Sequence, residues 1–513
     1  MKHWKKTAAS MALLMLLALA APADSEDWSK KGVPTGPPSL DMLDDSAPGS
    51  KRWENGSNAV WPVLYGNLRN PAPPFDTRYT QPGPSWPDDV YLWDTAFIAE
   101  VWKLWDIDTA KEINRAVLDN ALDGMLRHVY AFDNRGRDTQ PPVMAWSVWR
   151  LYQWDGDLEY IEYAYPILKE YNRWLYENRR HSSGLFFWRH PFESGMDNSP
   201  RFTNRAVTEH ANMGELAAID LSSYVVLQNS ILAKMAAELG KGGDAIEFAK
   251  KSAELQDLVN EKLWHEEDSI YYDRNMETGE YVRIKNIASL LPLFCRVPDD
   301  AKAEKLVEHI MDPAEFNTPM PLPSVARDEE SFFLDMWRGP VWINTSYMVI
   351  LGLRDYGYEV EAAEIAFRTA DRVFQTYEET GQFWEFYDPE RISIKKMHRK
   401  TTFLKRLFND DGPRPKFVGW TGLVNNMVVE NLIGLKVCES CWMICPRFPE
   451  EADGFRMDIK LPEERIEILI GVSDGGIESC GTCAGEMYNR FPAEPGTCFR
   501  ISPESYRPFG GSE

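Results

Sequence analysis

The chain has 513 residues, 44% hydrophobic and 26% charged, with a formal net charge of −23. That length holds one large domain plus a smaller one, and the acidity excludes a phosphate backbone as an expected partner, so no nucleic acid is predicted. The 19 Trp, 21 Tyr and 24 Phe often sit beside Gly, Pro and Asp rather than inside apolar runs, so core packing alone does not account for them.

The N-terminus reads as an export signal. Lys2, Lys5 and Lys6 form a basic start, Ala8 to Ala21 is mostly apolar, and Ala21-Pro22-Ala23 offers a small-x-small cleavage site. Cleavage after Ala23 predicts a secreted or periplasmic protein. The apolar run is short for a membrane span, and no other stretch reads as one. Residues 24–75, rich in Pro, Gly, Ser and Asp, are expected to wrap the domain as an extended segment without a core.

Residues 76–437 carry a degenerate repeat: an aromatic or polar loop, a mostly apolar helix, a short turn, then an amphipathic helix. The apolar members open at WDTAFIAEVWKLW (Trp93), QPPVMAWSVWRLY (Gln140), DLSSYVVLQNSILAKMA (Asp220), IKNIASLLPLF (Ile284), WRGPVWINTSYMVILGL (Trp337) and GWTGLVNNMVVENLIGL (Gly419). Their partners include Leu158 to Asn178, Asp244 to Leu263 and Val360 to Tyr377, where apolar residues recur at three- and four-residue spacing. Helices apolar all round need enclosure, whereas half-polar ones suit an outer shell. The expected architecture is an all-α (α/α)6 toroid, with the loops before its inner helices gathered at one mouth. An irregular helical solenoid would give those loops no reason to converge.

Residues 438–513 change character. RMDIKLP and RIEILIGV alternate at period two and predict a small β module. Six cysteines lie here: Cys438, Cys441, Cys445, Cys480, Cys483 and Cys498; Cys295 stands alone in an apolar run. The two C-x-x-C pairs leave disulfides, structural zinc and free thiols open, with export favouring disulfides.

Two stretches hold carboxylates in unusual settings. ESGMDNSPRF sets Asp197 four residues from Glu193, next to Met196, with Arg201 following. Gly195 and Pro200 keep it from being helical. It reads either as a polar turn or as part of an acid–base site. FWEFYDPE places Glu385 between Trp384 and Phe386, where a strand exposing the carboxylate is the alternative. Glycoside hydrolysis uses two carboxyl groups across the scissile bond, and sugar rings pack on flat aromatic faces. DRNMETG from Asp273 spaces oxygens like part of a calcium loop but lacks its far glutamate, so a hairpin turn is the better reading. Asn55-Gly-Ser and Asn344-Thr-Ser are glycosylation sequons, the second inside a predicted inner helix.

WDTAF, QPPVMAW, ESGMDNSPR, WRGPVWINTSY, FWEFYDPE and FVGWTGLV, in that order from about Tyr91 to Leu435, resemble the glycoside hydrolases of family 63. That family includes processing α-glucosidases and mannosylglycerate or glucosylglycerate hydrolases; trehalases are more distant. The resemblance implies an inverting α-glycoside hydrolase acting on an α-linked oligosaccharide or small α-glycoside, with no metal or other cofactor. Asp197 takes the general-acid position and Glu385 the general-base position. Asp94 and Gln140 look like holders of sugar hydroxyls, and Trp93, Trp337, Arg338 and Trp420 like pocket lining. Glu193 and Arg201, in the acid loop, are counted with the substrate contacts. An inverting pair stands roughly 6.5–9.5 Å apart, leaving room for water.

The sequence departs from the family after the base motif. DPERISIKKMHRKTTFLKRLF replaces the usual Pro-x-Thr-Gly and carries Lys395, Lys396, Arg399, Lys400, Lys405 and Arg406. Two readings stand: a solvated surface loop, or a basic segment that attracts an anionic sugar conjugate such as a glycerate. Hydrolysis of glucosyl- or mannosylglycerate is the alternative activity, and a toroid that binds glycans without cleaving them is the alternative of another class.

Overall fold

The computed structural model describes residues 28–130, 138–202, 213–400, 412–438, 441–462, 466–473, 476–483, 486–493 and 498–501; the expected signal peptide lies outside them. Helices dominate. The long ones are α1 (Ser50–Asn67), α2 (Leu92–Trp102), α3 (Ile107–Leu118), α4 (Met144–Asp155), α5 (Leu158–Asn178), α6 (Ile219–Glu238), α7 (Gly242–Leu263), α8 (Asp300–Met311), α9 (Ile343–Asp355) and α10 (Glu359–Thr380). The short α11 (Leu423–Asn426) runs on as a π-helix over Met427–Leu432.

Apolar and amphipathic helices separate into two layers, as the patterning requires. Every residue of α2 is buried, whereas α7 buries only Phe248, Leu255, Val259 and Leu263. Asp106, Asp157 and Asp299 cap α3, α5 and α8 by accepting backbone N–H bonds, which satisfies donors that a helix start leaves open. Inner segments touch in sequence: α2 packs on α4, α4 on α6, α6 on the segment at Ile287–Ser289, the turns that continue it on α9 where Leu293 and Phe294 meet Gly352, α9 on α11, and α11 back on α2. The chain therefore closes on itself as a helical toroid.

Two expectations need correction. The fourth inner segment is not a regular helix: Ile287–Ser289 is a 3-10 turn, and turns continue to Arg296. Pro292 has no N–H to give to an i−4 carbonyl, which disfavours an α-helix there. The N-terminal segment is not wholly extended either. Its α1 packs against α10 and completes the outer layer, burying Trp53, Val60, Trp61 and Leu64. Gly56 allows the approach, since a Cβ there would sit 2.4 Å from the Phe374 ring.

The C-terminal residues form sheets, as alternation predicts. One antiparallel sheet has five strands, in spatial order Ser39–Met42, Arg456–Leu461, Ile466–Ser473, Gly476–Cys483 and Glu486–Ala493, so a strand from the N-terminal segment joins it. A second sheet joins Leu435–Cys438, Cys441–Ile444 and Phe499–Ile501. Cys445 and Cys498 form a disulfide, and Cys295 is a buried free thiol. The side chains of Cys438, Cys441, Cys480 and Cys483 lie outside the described residues. DRNMETG is a hairpin, with Asn275 Oδ1 accepting the N–H groups of Glu277 and Thr278. Asn344 is buried and Asn55 exposed, so only Asn55 is accessible as a sequon.

At the bottom of the ring, an ionic cluster ties four inner helices. Lys103 Nζ lies 2.8 Å from Glu100 and 2.6 Å from Glu430, while Arg150 bonds both carboxylates and Tyr347 donates to Glu430 at 3.0 Å. Burial alone would raise the Glu430 pKa, but Arg150 and Lys103 outweigh it and hold the carboxyl well below its ordinary value. Removing one partner of such a set strands a buried charge. Glu430→Gln is accordingly expected to cost about 3–5 kcal/mol of folding free energy, read as a lower urea midpoint with an unchanged slope.

Candidate active site

The N-terminal ends of the inner helices, with the loops before them, surround a cavity of about 270 Å³. Trp93 and Asp94 enter on the first turn of α2, Gln140 precedes α4, Trp337 and Trp342 precede α9, and Trp420 precedes α11. The aromatic walls brace one another. Trp337 stacks on Trp342 at 3.9 Å, Trp93 lies 5.8 Å from Trp420, and Phe417 lies 4.5 Å from Trp420. Such a surface suits a ligand with flat apolar faces and polar edges.

Three carboxyl groups face this space. Asp197 sits between two 3-10 turns, Pro191–Ser194 and Pro200–Phe202. Gly195, at φ 71°, lets the loop pass over Trp93; a Cβ would stand 2.3 Å from that ring. Asn198 clamps the loop by donating to Asp335 O and accepting from Trp337 N. Glu385 is 3% exposed. Its backbone is pinned by Trp420 Nε1, which donates to Glu385 O, and by Glu385 N, which donates to Arg414 O. Asp94 is equally deep, and Gln140 Oε1 accepts Trp93 N beside it at 3.2 Å.

Their electrostatics differ. Burial pushes the Asp94 carboxyl up to about 8, with the charges of Glu385 and Asp197 adding to the effect. Burial also raises Glu385, opposed by the Arg399 guanidinium, whose Nε lies 3.1 Å away. Asp197 pairs with Lys400 at 2.5 Å. Of the basic stretch, Arg399 and Lys400 thus reach into the cavity, where Arg399 also lies over Trp86 and Lys400 over Phe192. The surface-loop reading fails for these two residues; Lys405 and Arg406 lie outside the described residues. Composition flagged the stretch, but nothing in the sequence said which of its cations turn inward.

Most of the expected lining is here: Trp93, Asp94, Gln140, Asp197, Trp337, Glu385 and Trp420. Glu193, Arg201 and Arg338 are not among the lining residues; for Glu193 and Arg201, whose side chains pair elsewhere, this corrects the expectation of substrate contact. Glu193 is fully buried, held by the Arg179 guanidinium and the backbone N–H groups of Thr139 and Arg189. Arg201 is turned into the core, paired with Asp220 and Asp273. Both fasten the Asp197 loop from behind. Tyr91, His128 and Trp342 line the cavity without having been expected; burial lowers the His128 pKa.

The Asp94 shift carries a stability consequence. Between an unfolded value near 3.8 and a folded value of about 8, the folded protein keeps a proton that the unfolded chain releases. Stability from this group is complete below the lower value and is lost as pH rises through the window. Asp94→Asn removes that loss. The stability difference between variant and parent is expected to move in the variant's favour by about 1 kcal/mol per pH unit from about pH 5 to 8, measured by urea unfolding at each pH.

Comparisons with known proteins agree with this arrangement. Residues 87–399 match the family model of the mannosylglycerate hydrolase MGH1-like glycoside hydrolase domain. Mannosylglycerate hydrolase of Thermus thermophilus is 30% identical over 377 residues, spanning 58% of this chain and 88% of that protein. A probable mannosyl-oligosaccharide glucosidase of Schizosaccharomyces pombe is 26% identical over 311 residues, spanning 54% of this chain and 35% of its own length. Among solved structures, a GH63 mannosylglycerate hydrolase of Thermus thermophilus in complex with glucose superposes with a TM-score of 0.58 at 28% identity, covering 72% of this chain and 98% of that one. The chain belongs to the family of mannosylglycerate hydrolase MGH1-like glycoside hydrolases, within glycoside hydrolase family 63.

Proposed function

We propose that this protein is an exported, inverting α-glycoside hydrolase built on an (α/α)6 toroid, with Asp197 as general acid and Glu385 as general base. One observation carries the reading: carboxylates from two distant stretches of chain enter a single aromatic-walled cavity, and a third, Asp94, lies beside them. In this mechanism Asp197 protonates the departing glycosidic oxygen while Glu385 deprotonates a water on the opposite face of the sugar. Asp94 and Gln140 hold hydroxyls, and Trp93, Trp337 and Trp420 pack on the ring. Export is supported by the basic-then-apolar N-terminus and by the Cys445–Cys498 disulfide, a bond that persists in oxidising compartments.

A second reading, hydrolysis of a sugar–glycerate conjugate, is favoured by Arg399 and Lys400. These cations face the cavity beside the two catalytic candidates. An anionic aglycone drawn to Lys400 would compete with Asp197 for that cation and free the Asp197 carboxyl from its ion pair. The named relatives include proteins described as mannosylglycerate hydrolases.

Sugar release from α-glucosides, α-mannosides and their glycerate conjugates, followed by NMR, tests the proposal. The β-anomer is the expected first product, and Asp197→Asn and Glu385→Gln are each expected to lower kcat about 10²–10⁴-fold. Initial release of the α-anomer would refute inversion. Preference for glycerate conjugates that falls in Lys400→Gln would select the second reading.

A separate pH profile tests the base. Glu385 must be ionised to accept a proton, and Arg399 restrains its upward shift. Arg399→Gln is therefore expected to move the acidic limb of kcat to higher pH; an unmoved limb would remove Glu385 from the base role.

A further inference from the structure

A second cavity, of about 220 Å³, lies at the opposite end of the ring. It is bounded by Lys103, just past α2; Arg150, Gln153 and Trp154 in the last turns of α4; Arg354 in the last turn of α9; Glu430; and residues 435–437. Four cations and one carboxylate therefore line a hollow in a chain whose net charge is −23.

Part of this charge is already matched. Lys103 and Arg150 pair with Glu100 and Glu430, two against two. Lys436 reaches Glu359 at 3.7 Å, but Arg447 holds the same residue at 2.7 Å. Arg354 is different. Its charge is felt at Glu430, yet among the described residues its guanidinium makes no hydrogen bond or ion pair, and the Gln153 amide makes none either. The set as a whole keeps an excess of positive charge. Helix C-termini favour nearby cations, but that preference explains neither an open hollow nor a half-buried guanidinium with its fork unused.

We propose that this cavity binds a small oxyanion, a phosphate or sulfate group, with Arg354 as its main ligand. The guanidinium fork matches two oxygens of a tetrahedral anion. Lys436 supplies a second positive charge, and Gln153 donates to a third oxygen. Leu435 and Val437 offer an apolar flank to the organic part of an ester. The site shares no residue with the cavity of Asp197 and Glu385, so it stands or falls independently of the proposed reaction.

Calorimetric titration of the full-length protein with inorganic phosphate, and separately with glycerol phosphate, in chloride buffer tests this. Saturable one-to-one binding is expected. Arg354→Gln should weaken it about tenfold or more, Lys436→Gln should weaken it less, and Asp197→Asn should leave it unchanged. Tighter binding of the ester would assign an organic phosphate; equal affinities would assign the free anion. Absence of saturable binding by both probes would overturn the site, and so would full affinity in an Arg354→Gln protein with parental melting behaviour. Should Arg354→Gln fail to fold, the partly exposed Lys436 carries the same test: undiminished binding in Lys436→Gln then refutes the proposal.

Discussion

Two glutamates, a lysine and an arginine meet at the lower end of the inner helices, and the ring has to close around them. Glu100, Lys103, Arg150 and Glu430 are tolerable at that depth only because each finds an opposite charge on another turn or another helix. The pairing leaves little freedom in the rotation or sliding of α2, α4 and the π-helix that continues α11. Tyr347 extends the same constraint to α9 through its bond to Glu430. Everything at the other end of the ring inherits this register. Asp94 and Glu100 share α2, a helix whose every residue is buried, so fixing one end of it aims the other.

Above that anchor, the cavity is a contest between burial and countercharge. Burial favours the neutral form of its two deep carboxyl groups, Asp94 and Glu385. Arg399 opposes this at Glu385, whereas Asp94 pairs with no cation among the described residues. Asp197, at the more open side, has Lys400 against it. The result is three chemically similar groups held in three different environments within one cavity. The aromatic walls contribute by bracing one another. The stacked Trp337–Trp342 pair and the Trp93 ring beneath Gly195 hold the loops at fixed separations.

Much of this was legible in the chain, for identifiable reasons. Fully apolar stretches such as WDTAFIAEVW against half-polar partners such as VEAAEIAFRTADRVFQTY separate inner from outer helices because burial is a property of periodicity. The order of aromatic-polar loops marks the mouth. Failures had equally specific causes. α1 was hidden by Gly56, Pro62 and Gly66, residues that argue against a helix locally; packing on α10 overrides that propensity. Glu193 and Arg201 looked functional because they flank Asp197, yet their side chains turn backwards onto Arg179 and onto Asp220 with Asp273. Charge in a loop does not say which way it faces.

The helical layers, the C-terminal strands, the family and the two candidate carboxylates follow from the chain read alone, since each is written in local periodicity or in short contiguous motifs. Which neighbours those carboxylates meet is a property of the folded ring. Folding turned Arg399 and Lys400 into the cavity and took Glu193, Arg201 and Arg338 out of its lining. It also set Arg354 in a second hollow, without an ion pair among the described residues. The cause is the same throughout: a side chain's partner and its pKa depend on distances between residues far apart in the chain, and those distances exist only once the ring has closed.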